Sequence, residues 1–315
     1  MRTLLKILFV LLIALSYVVL SAQKDSVYID ETAETFTFGV HLKYRNNNAI
    51  LALNNDEHFV IHDEALLAGI RLRYKWLSSV LSVPIIDDIR NTGSIRPATY
   101  SVTARAYPTH FYGQLNAQFV SLSKESLITF FDRSFAALEE AYIAQANALL
   151  VYGFNKDKLS MSAAYSFFER QNKSVGCWLL AGQFDGTWWH LPEAQWEEWE
   201  EDRLDFDRFN TYRYMLGGGY SYSLVYKSFC ANIMATTGVE FVSSVRKDTN
   251  EMQEIDRTSS FRYVPLPRLM GSIVHYFSDY YIAMTAEYTA DSTPEKLYHT
   301  RLRGGFVRMS FGRFL

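Results

Sequence analysis

Lys43, Arg71, Arg73, Lys75, Arg105, Arg213, Arg301 and Arg303 each stand opposite the apolar set of a run in which hydrophobic and polar residues alternate. Period two is the repeat of a strand, so alternation gathers these cations on one face and the apolar side chains on the other. A ladder of such groups in a low-dielectric wall focuses the field and attracts small anions. Charge on a lipid-facing surface near the midplane costs roughly 2–4 kcal/mol, which favours turning the ladder inward. The competing reading places several of them at strand ends, against lipid phosphates or acidic connections. The runs read as strands hold twelve basic residues, these eight with Arg45, Arg268, Arg308 and Arg313, against two acids, Glu240 and Glu287. The whole chain has a formal net charge of −3, so its acids are concentrated in the connections.

Other groupings offer less. In DEHFVIHDE, His58 and His62 share a face beside Asp56, Glu57 and Asp63, a donor set suited to a metal. A solvated loop rim has the same composition and is preferred, so neither metal nor other cofactor is expected. His110 faces inward beside Gln114, with no serine compellingly paired to it. There is no G-x-S-x-G elbow and no H-E-x-x-H helix, and enzyme activity is not expected. The stretch TWWHLPEAQWEEWEEDR (187–203) places Trp188, Trp189, Trp196 and Trp199 among carboxylates in what reads as a long loop. It is either a platform on which sugars or peptides stack, or a loop helix opened by Pro192 that folds its indoles onto the body of the fold. The second is preferred, because no second platform appears. Cys177 and Cys230 are too few for a disulfide-stapled fold, and a bridge between them is left open.

These groups need elements to hold them. The chain opens MRTLLKILFVLLIALSYVVLSAQ, a basic start, an apolar run and a small-residue end. That is the layout of a signal peptide cleaved after Ala22, leaving 23–315 as one barrel domain. No later segment approaches the roughly 20 apolar residues of a membrane helix. Instead TFTFGVHLKYR (35–45), ALLAGIRLRYKW (65–76), HFYGQLNAQF (110–119), KLSMSAAYSF (158–167), 212–224, 228–241 and YYIAMTAEYT (280–289) alternate. Each lasts about ten residues, enough for a tilted strand to cross a bilayer. Weaker candidates lie at 49–54, 79–85, 98–107, 142–153, 174–183, 266–277 and 299–312. The expected fold is all-β, a transmembrane antiparallel β-barrel of about 12–14 strands, more than the eight or so of a soluble lipocalin-sized barrel. In lipid it must close, since an open edge leaves amides unpaired.

Short connections are expected at 107–110, 155–158 and 277–279, and long ones at 86–97, 121–135, 184–210 and 242–262. SFAALEEAYIAQANALL (134–150) has helical propensity, but its second half runs on into VYGF and reads as a strand. Parity fails between 168 and 211: if 155–158 and 225–227 both turn on one side, an odd number of strands separates them.

The segment NKDKLSMSAAYSFFERQNKSVGCWLLAG resembles a family of Bacteroidota outer-membrane barrels known as domain of unknown function 4421. The residues that carry the resemblance are Asn155, Lys156, Ser160, Gln171, Lys173, Ser174 and Gly176, with Cys177 standing where the family pattern has Ser. The resemblance implies a barrel in the outer membrane of a Gram-negative bacterium and supplies no activity. Three functions remain open. A passive channel for small hydrophilic solutes, anionic ones included, is preferred. The alternative is a non-conducting structural barrel that holds envelope proteins through its loops, and the third is a lipid-modifying enzyme. Outer-membrane lipid is the expected surround, and no nucleic acid is expected as a partner.

Overall fold

Alternation over long runs leaves a strand with one apolar and one polar face, and the cheapest way to satisfy every edge is to roll such strands into a closed sheet. A computed structural model describes residues 25–30, 36–52, 58–87, 98–107, 111–121, 129–130, 133–134, 142–155, 157–190, 208–248, 253–256, 260–294 and 299–314. The expected signal peptide, 1–22, lies outside them. Twelve long strands form the wall: β1 Phe36–Ala52, β2 His58–Tyr74, β3 Leu77–Asp87, β4 Ala98–Ala106, β5 Phe111–Ser121, β6 Tyr142–Gly153, β7 Val175–His190, β8 Arg208–Tyr226, β9 Phe229–Asp248, β10 Ser260–Tyr276, β11 Tyr280–Pro294 and β12 His299–Phe314. Each pairs antiparallel with its neighbours in sequence, and β12 pairs with β1 to close the barrel.

The wall is inverted relative to a soluble barrel. On β1, Phe38, Val40, Leu42 and Tyr44 point out and are exposed, while Thr37, His41, Lys43 and Arg45 point in and are buried. On β11, Tyr280, Ile282, Met284 and Tyr288 are outside, with Tyr281, Ala283, Thr285 and Glu287 inside. The chain enters and leaves the barrel at one end, where Lys75–Trp76 and Lys227–Ser228 make two-residue turns. Lys75 (φ 50°) and Lys227 (φ 53°) take the positive φ that such hairpin turns use. The other end carries the longer connections.

The strand count falls to twelve for two reasons. Residues 49–52 continue β1 rather than forming a strand of their own. The run 158–167 is no strand at all: Met161–Tyr165 is a short helix, α1, inside the barrel. Its period-two pattern misleads because both sets are buried, Ser160, Ser162 and Ser166 as fully as Leu159, Ala163, Tyr165 and Phe167. Ala164 already breaks the alternation, and Ser160 caps the helix. Removing this strand leaves two, β7 and β8, between the connection at 154–174 and the turn at 227–228, so parity is restored. The long connections are shorter than the sequence suggests, since β7 runs to His190, β8 starts at Arg208 and β9 reaches Asp248. Thr129–Phe130 and Arg133–Ser134 add a small hairpin edge to β2 within one of them.

Candidate functional site in the barrel lumen

About eight strands make a barrel that its own side chains can fill, and twelve enclose more. At the short-turn end the excess space is taken by residues 154–174, which turn into the lumen instead of crossing tightly from β6 to β7. The residues that carry the family resemblance frame this insertion. Asn155 donates its backbone N–H to Cys177 Sγ (3.0 Å) and its Nδ2 to the Gly176 carbonyl (3.4 Å). Sulfur thus accepts from the backbone at this position. Ser160 Oγ accepts from Ala163 N (2.8 Å) and donates to the Glu169 carboxylate (2.5 Å). Gln171 accepts from Ser160 N (2.9 Å) and donates to the carbonyls of Tyr28, Lys158 and Lys173 (3.1, 2.6 and 3.2 Å). Ser174 Oγ accepts from Val225 N (2.9 Å), tying the exit of the insertion to β8. Lys173 is exposed, its ammonium 5.5 Å from the Tyr28 ring. Lys156 lies outside the described residues. Ile29–Asp30, near the start of the described chain, pairs with Arg170–Gln171 beneath.

The wall then grips the insertion. Arg73 donates to Ser162 Oγ (2.5 Å) and Ser166 Oγ, with its guanidinium 3.8 Å from the Phe168 ring centre. Arg105 reaches the Tyr165 carbonyl (3.4 Å), and Tyr165 donates to Asn232 on β9 (2.6 Å). Burial pushes the Tyr165 phenol well above its ordinary pKa, so it stays a donor. Tyr276 donates to the Glu169 carbonyl (2.8 Å). Phe167 ends the helix at φ 62°, a left-handed conformation that costs a non-glycine residue about 1–3 kcal/mol. Its ring is wholly buried beside Tyr281 (5.3 Å) and beneath the Arg71 guanidinium (5.0 Å), which holds it there.

Beyond the insertion the lumen is lined by charge. Lys43, Arg71, Arg73, Arg105 and Arg213 all point inward and are buried. The side chains of Arg301 and Arg303 fall outside the described part of β12. Lys75 does not line the lumen: it is the first residue of the β2–β3 turn, exposed, with its ammonium 5.3 Å from the Tyr74 ring. The strand ends at Tyr74, two residues sooner than its apolar pattern suggests. Arg45, Arg268 and Arg308 were missing from the inward set and belong to it. Their signal was present, since Arg45 continues the Thr37–His41–Lys43 series and Arg308 alternates between Val307 and Met309.

Two sides of the lumen differ. Along β4 to β8, several polar groups pair with one another: Arg105 donates to Gln114 (2.9 Å), Thr103 to Asn116 (2.9 Å), and Asn147 and Gln183 to Asp185 (2.6 Å each). Arg268 on β10 donates to Glu287 on β11 through Nε (2.9 Å). Across β12, β1 and β2, Arg71 has no hydrogen-bond acceptor on Nε, Nη1 or Nη2, and Arg308 none on Nε or Nη2.

The tryptophan stretch is not one loop platform. Trp188 and Trp189 belong to β7, and Trp188 donates to Tyr212 (3.0 Å) and meets its ring edge-on at 5.9 Å. With Phe184 and Tyr214 this is an aromatic cluster at the long-connection end of the wall. Trp196 and Trp199 lie outside the described residues. So do Asp56, Glu57 and His110 and the side chains of His58, His62 and Asp63; among the described residues no group of three or more His, Cys, Asp or Glu is placed to hold a metal. Cys177 and Cys230 are both buried and unbridged.

Several solved structures are similar in architecture. The outer membrane protease OmpT from Escherichia coli is 6% identical, with 91% of this chain and 98% of that chain covered and a TM-score of 0.42. An outer membrane channel from Pseudomonas putida F1 is 10% identical over 93% and 99% of the two chains, TM-score 0.36. The translocator domain of autotransporter NalP from Neisseria meningitidis is 10% identical over 88% of each, TM-score 0.35. These chains share almost no sequence with this one, and they transfer no activity to it. No curated protein matches the sequence. The family described as a domain of unknown function (DUF4421) matches residues 23–312, and the chain belongs to it.

Proposed function

We propose that this protein is an outer-membrane barrel that forms a gated passage for small anionic solutes. The observation that carries the reading is the inverted wall, apolar and exposed outside, polar, cation-rich and buried inside. An apolar exterior of this kind is stable against hydrocarbon, and a closed barrel leaves no backbone amide unpaired there. Aromatic residues at the short-turn rim, Tyr74, Trp76, Tyr226 and Tyr280, suit a headgroup girdle, and Lys75, Lys227 and Arg313 beside them suit lipid phosphates. In outer-membrane barrels the short turns face the periplasm, so residues 154–174 would gate from that side.

The test is conductance in planar bilayers, after a heat-modifiable gel shift has established the folded barrel. The seated insertion predicts low wild-type conductance. Arg73→Ala with Gln171→Ala, which frees the insertion, is expected to raise it and to give an anion-selective reversal potential. Arg71→Glu with Arg308→Glu in that background should weaken or reverse the preference. A cation-selective pore would rule the anionic reading out. The buried insertion also supports a second reading, a non-conducting barrel holding envelope proteins through its longer connections; no conductance even after the insertion is freed would favour it. No catalytic role is proposed.

A further inference from the structure

We infer that the floor of the lumen, directly above the insertion, is a binding site for a tetrahedral oxyanion of the phosphate or sulfate class, built from Arg71, Arg308 and Lys43. The inference rests on the reading of the lumen as a place for small anions and adds the ligand and its residues.

The strand register brings the groups together. Lys43 on β1 pairs with Arg308 on β12, which pairs with Thr285 on β11. One step toward the short-turn end on the inward face, His41 pairs with Ser310 and with Gly69, and Arg71 follows two residues after Gly69 on β2. All of these strands turn the named side chains inward, and Arg71 and Arg308 are each 2% exposed. Arg308, Arg71, Lys43 and Arg105 all lie within Coulombic range of His41. Gly69 keeps the wall open opposite His41, since a Cβ there would strike the imidazole.

A buried guanidinium that cannot shed its proton must find an acceptor or remain costly. Arg105 has found Gln114 and the Tyr165 carbonyl. Arg71 has only the face of Phe167, and Arg308 only that of Phe306 at 5.5 Å, with Lys43 Nζ 4.5 Å from the same ring. The acid in range, Glu287, gives one oxygen, Oε1, to Arg268 Nε and Nη2, which neutralises much of its charge. Around the two guanidinium groups stand further unpartnered buried atoms: the donors or acceptors Ser310 Oγ, Thr285 Oγ1 and His41 Nδ1, and one carboxylate oxygen, Glu287 Oε2, two residues from Thr285. Five guanidinium nitrogens without acceptors, beside an ammonium and hydroxyls, form a donor set for an anion with several oxygens. Planar guanidinium forks match oxyanion geometry and offer a halide no comparable fit. The Phe167 and Phe306 rings beside the guanidinium groups lower the local dielectric, which strengthens charge-assisted bonds.

The experiment uses the full-length folded barrel in detergent, exchanged into a buffer free of phosphate and sulfate. Inorganic sulfate and then inorganic phosphate are titrated by calorimetry, with chloride as competitor. One saturable site per barrel, poorly displaced by chloride, is expected. Arg71→Met with Arg308→Met should abolish it. Arg71→Lys with Arg308→Lys keeps the charge and is the less disruptive pair. It should weaken binding by about tenfold to a hundredfold, the loss expected for one or two charge-assisted bonds. Arg313→Met, an exposed cation against Tyr280 at the rim, should leave binding unchanged. Absence of saturable binding to the wild-type barrel overturns the inference, and so does wild-type binding that survives both double substitutions. Conductance is read separately: a barrel that binds sulfate without conducting sinks the passage alone, and an anion-selective pore without saturable binding sinks the site alone.

Discussion

The insertion and the cationic floor above it are neighbours, joined through Phe167 and Arg71, yet they treat polar groups in opposite ways. In the insertion Ser160, Gln171 and Tyr165, and Arg73 of the wall that grips it, all have hydrogen-bond partners, several with two or three. On the floor, Arg71 and Arg308 are as deeply buried and largely unpartnered. A fully satisfied buried network rigidifies what it joins, whereas unsatisfied buried charge lowers stability until something binds it. The difference separates a structural stopper from a surface shaped for a ligand.

The sharpest way to break this comparison is to cut each region once. Tyr165→Ala removes a wholly buried ring beside Tyr112 together with the bond to Asn232, and should cost about 3–5 kcal/mol in urea or guanidinium unfolding. Gln171→Ala strands Ser160 N and three carbonyls, and should cost about 1–3 kcal/mol by the same measurement. Ser160→Ala, the loss of a helix cap, should cost about 1 kcal/mol. Arg71→Met, by contrast, should be neutral or stabilising in oxyanion-free buffer, because it removes an uncompensated charge and keeps apolar contact with Phe167. A loss comparable to that of Tyr165→Ala would show that Arg71 is structural.

The smallest expected effect depends on pH. Burial raises the Tyr165 pKa, so the folded state holds this proton more tightly than the unfolded chain. The stability it contributes is intact below about pH 10, the unfolded phenol value, and declines as pH rises toward the folded one. Tyr165→Phe should flatten that alkaline decline in unfolding midpoints, and an unaltered decline would mean other groups cause it.

How much of this was legible beforehand varied with the kind of burial. Strands with one face outward declared themselves, and the inward set Lys43, Arg71, Arg73, Arg105 and Arg213 followed from alternation alone. Lys75 failed because a positive φ in a two-residue turn leaves no trace in hydrophobicity. The 158–167 run failed because an element buried all round has no polar face to report its period. Trp188 was misplaced because the wall extends past the alternating stretch, where aromatics continue and polarity ceases to mark a loop.

The sequence by itself determined the class: an inverted β-barrel with basic residues turned inward, because strand periodicity is a local property written every second residue. It also held, at 155–177, the motif of the family resemblance, whose purpose it did not disclose. Only the tertiary structure decided that this motif folds into the lumen, that Gln171 meets Ser160 and Tyr28, and that Arg71 meets Phe167. Only closure decided that Lys43 near the start of the wall lies beside Arg308 near its end. Contacts of that kind are set by how many strands complete the circle and which residues face each other across it, and no local pattern encodes either.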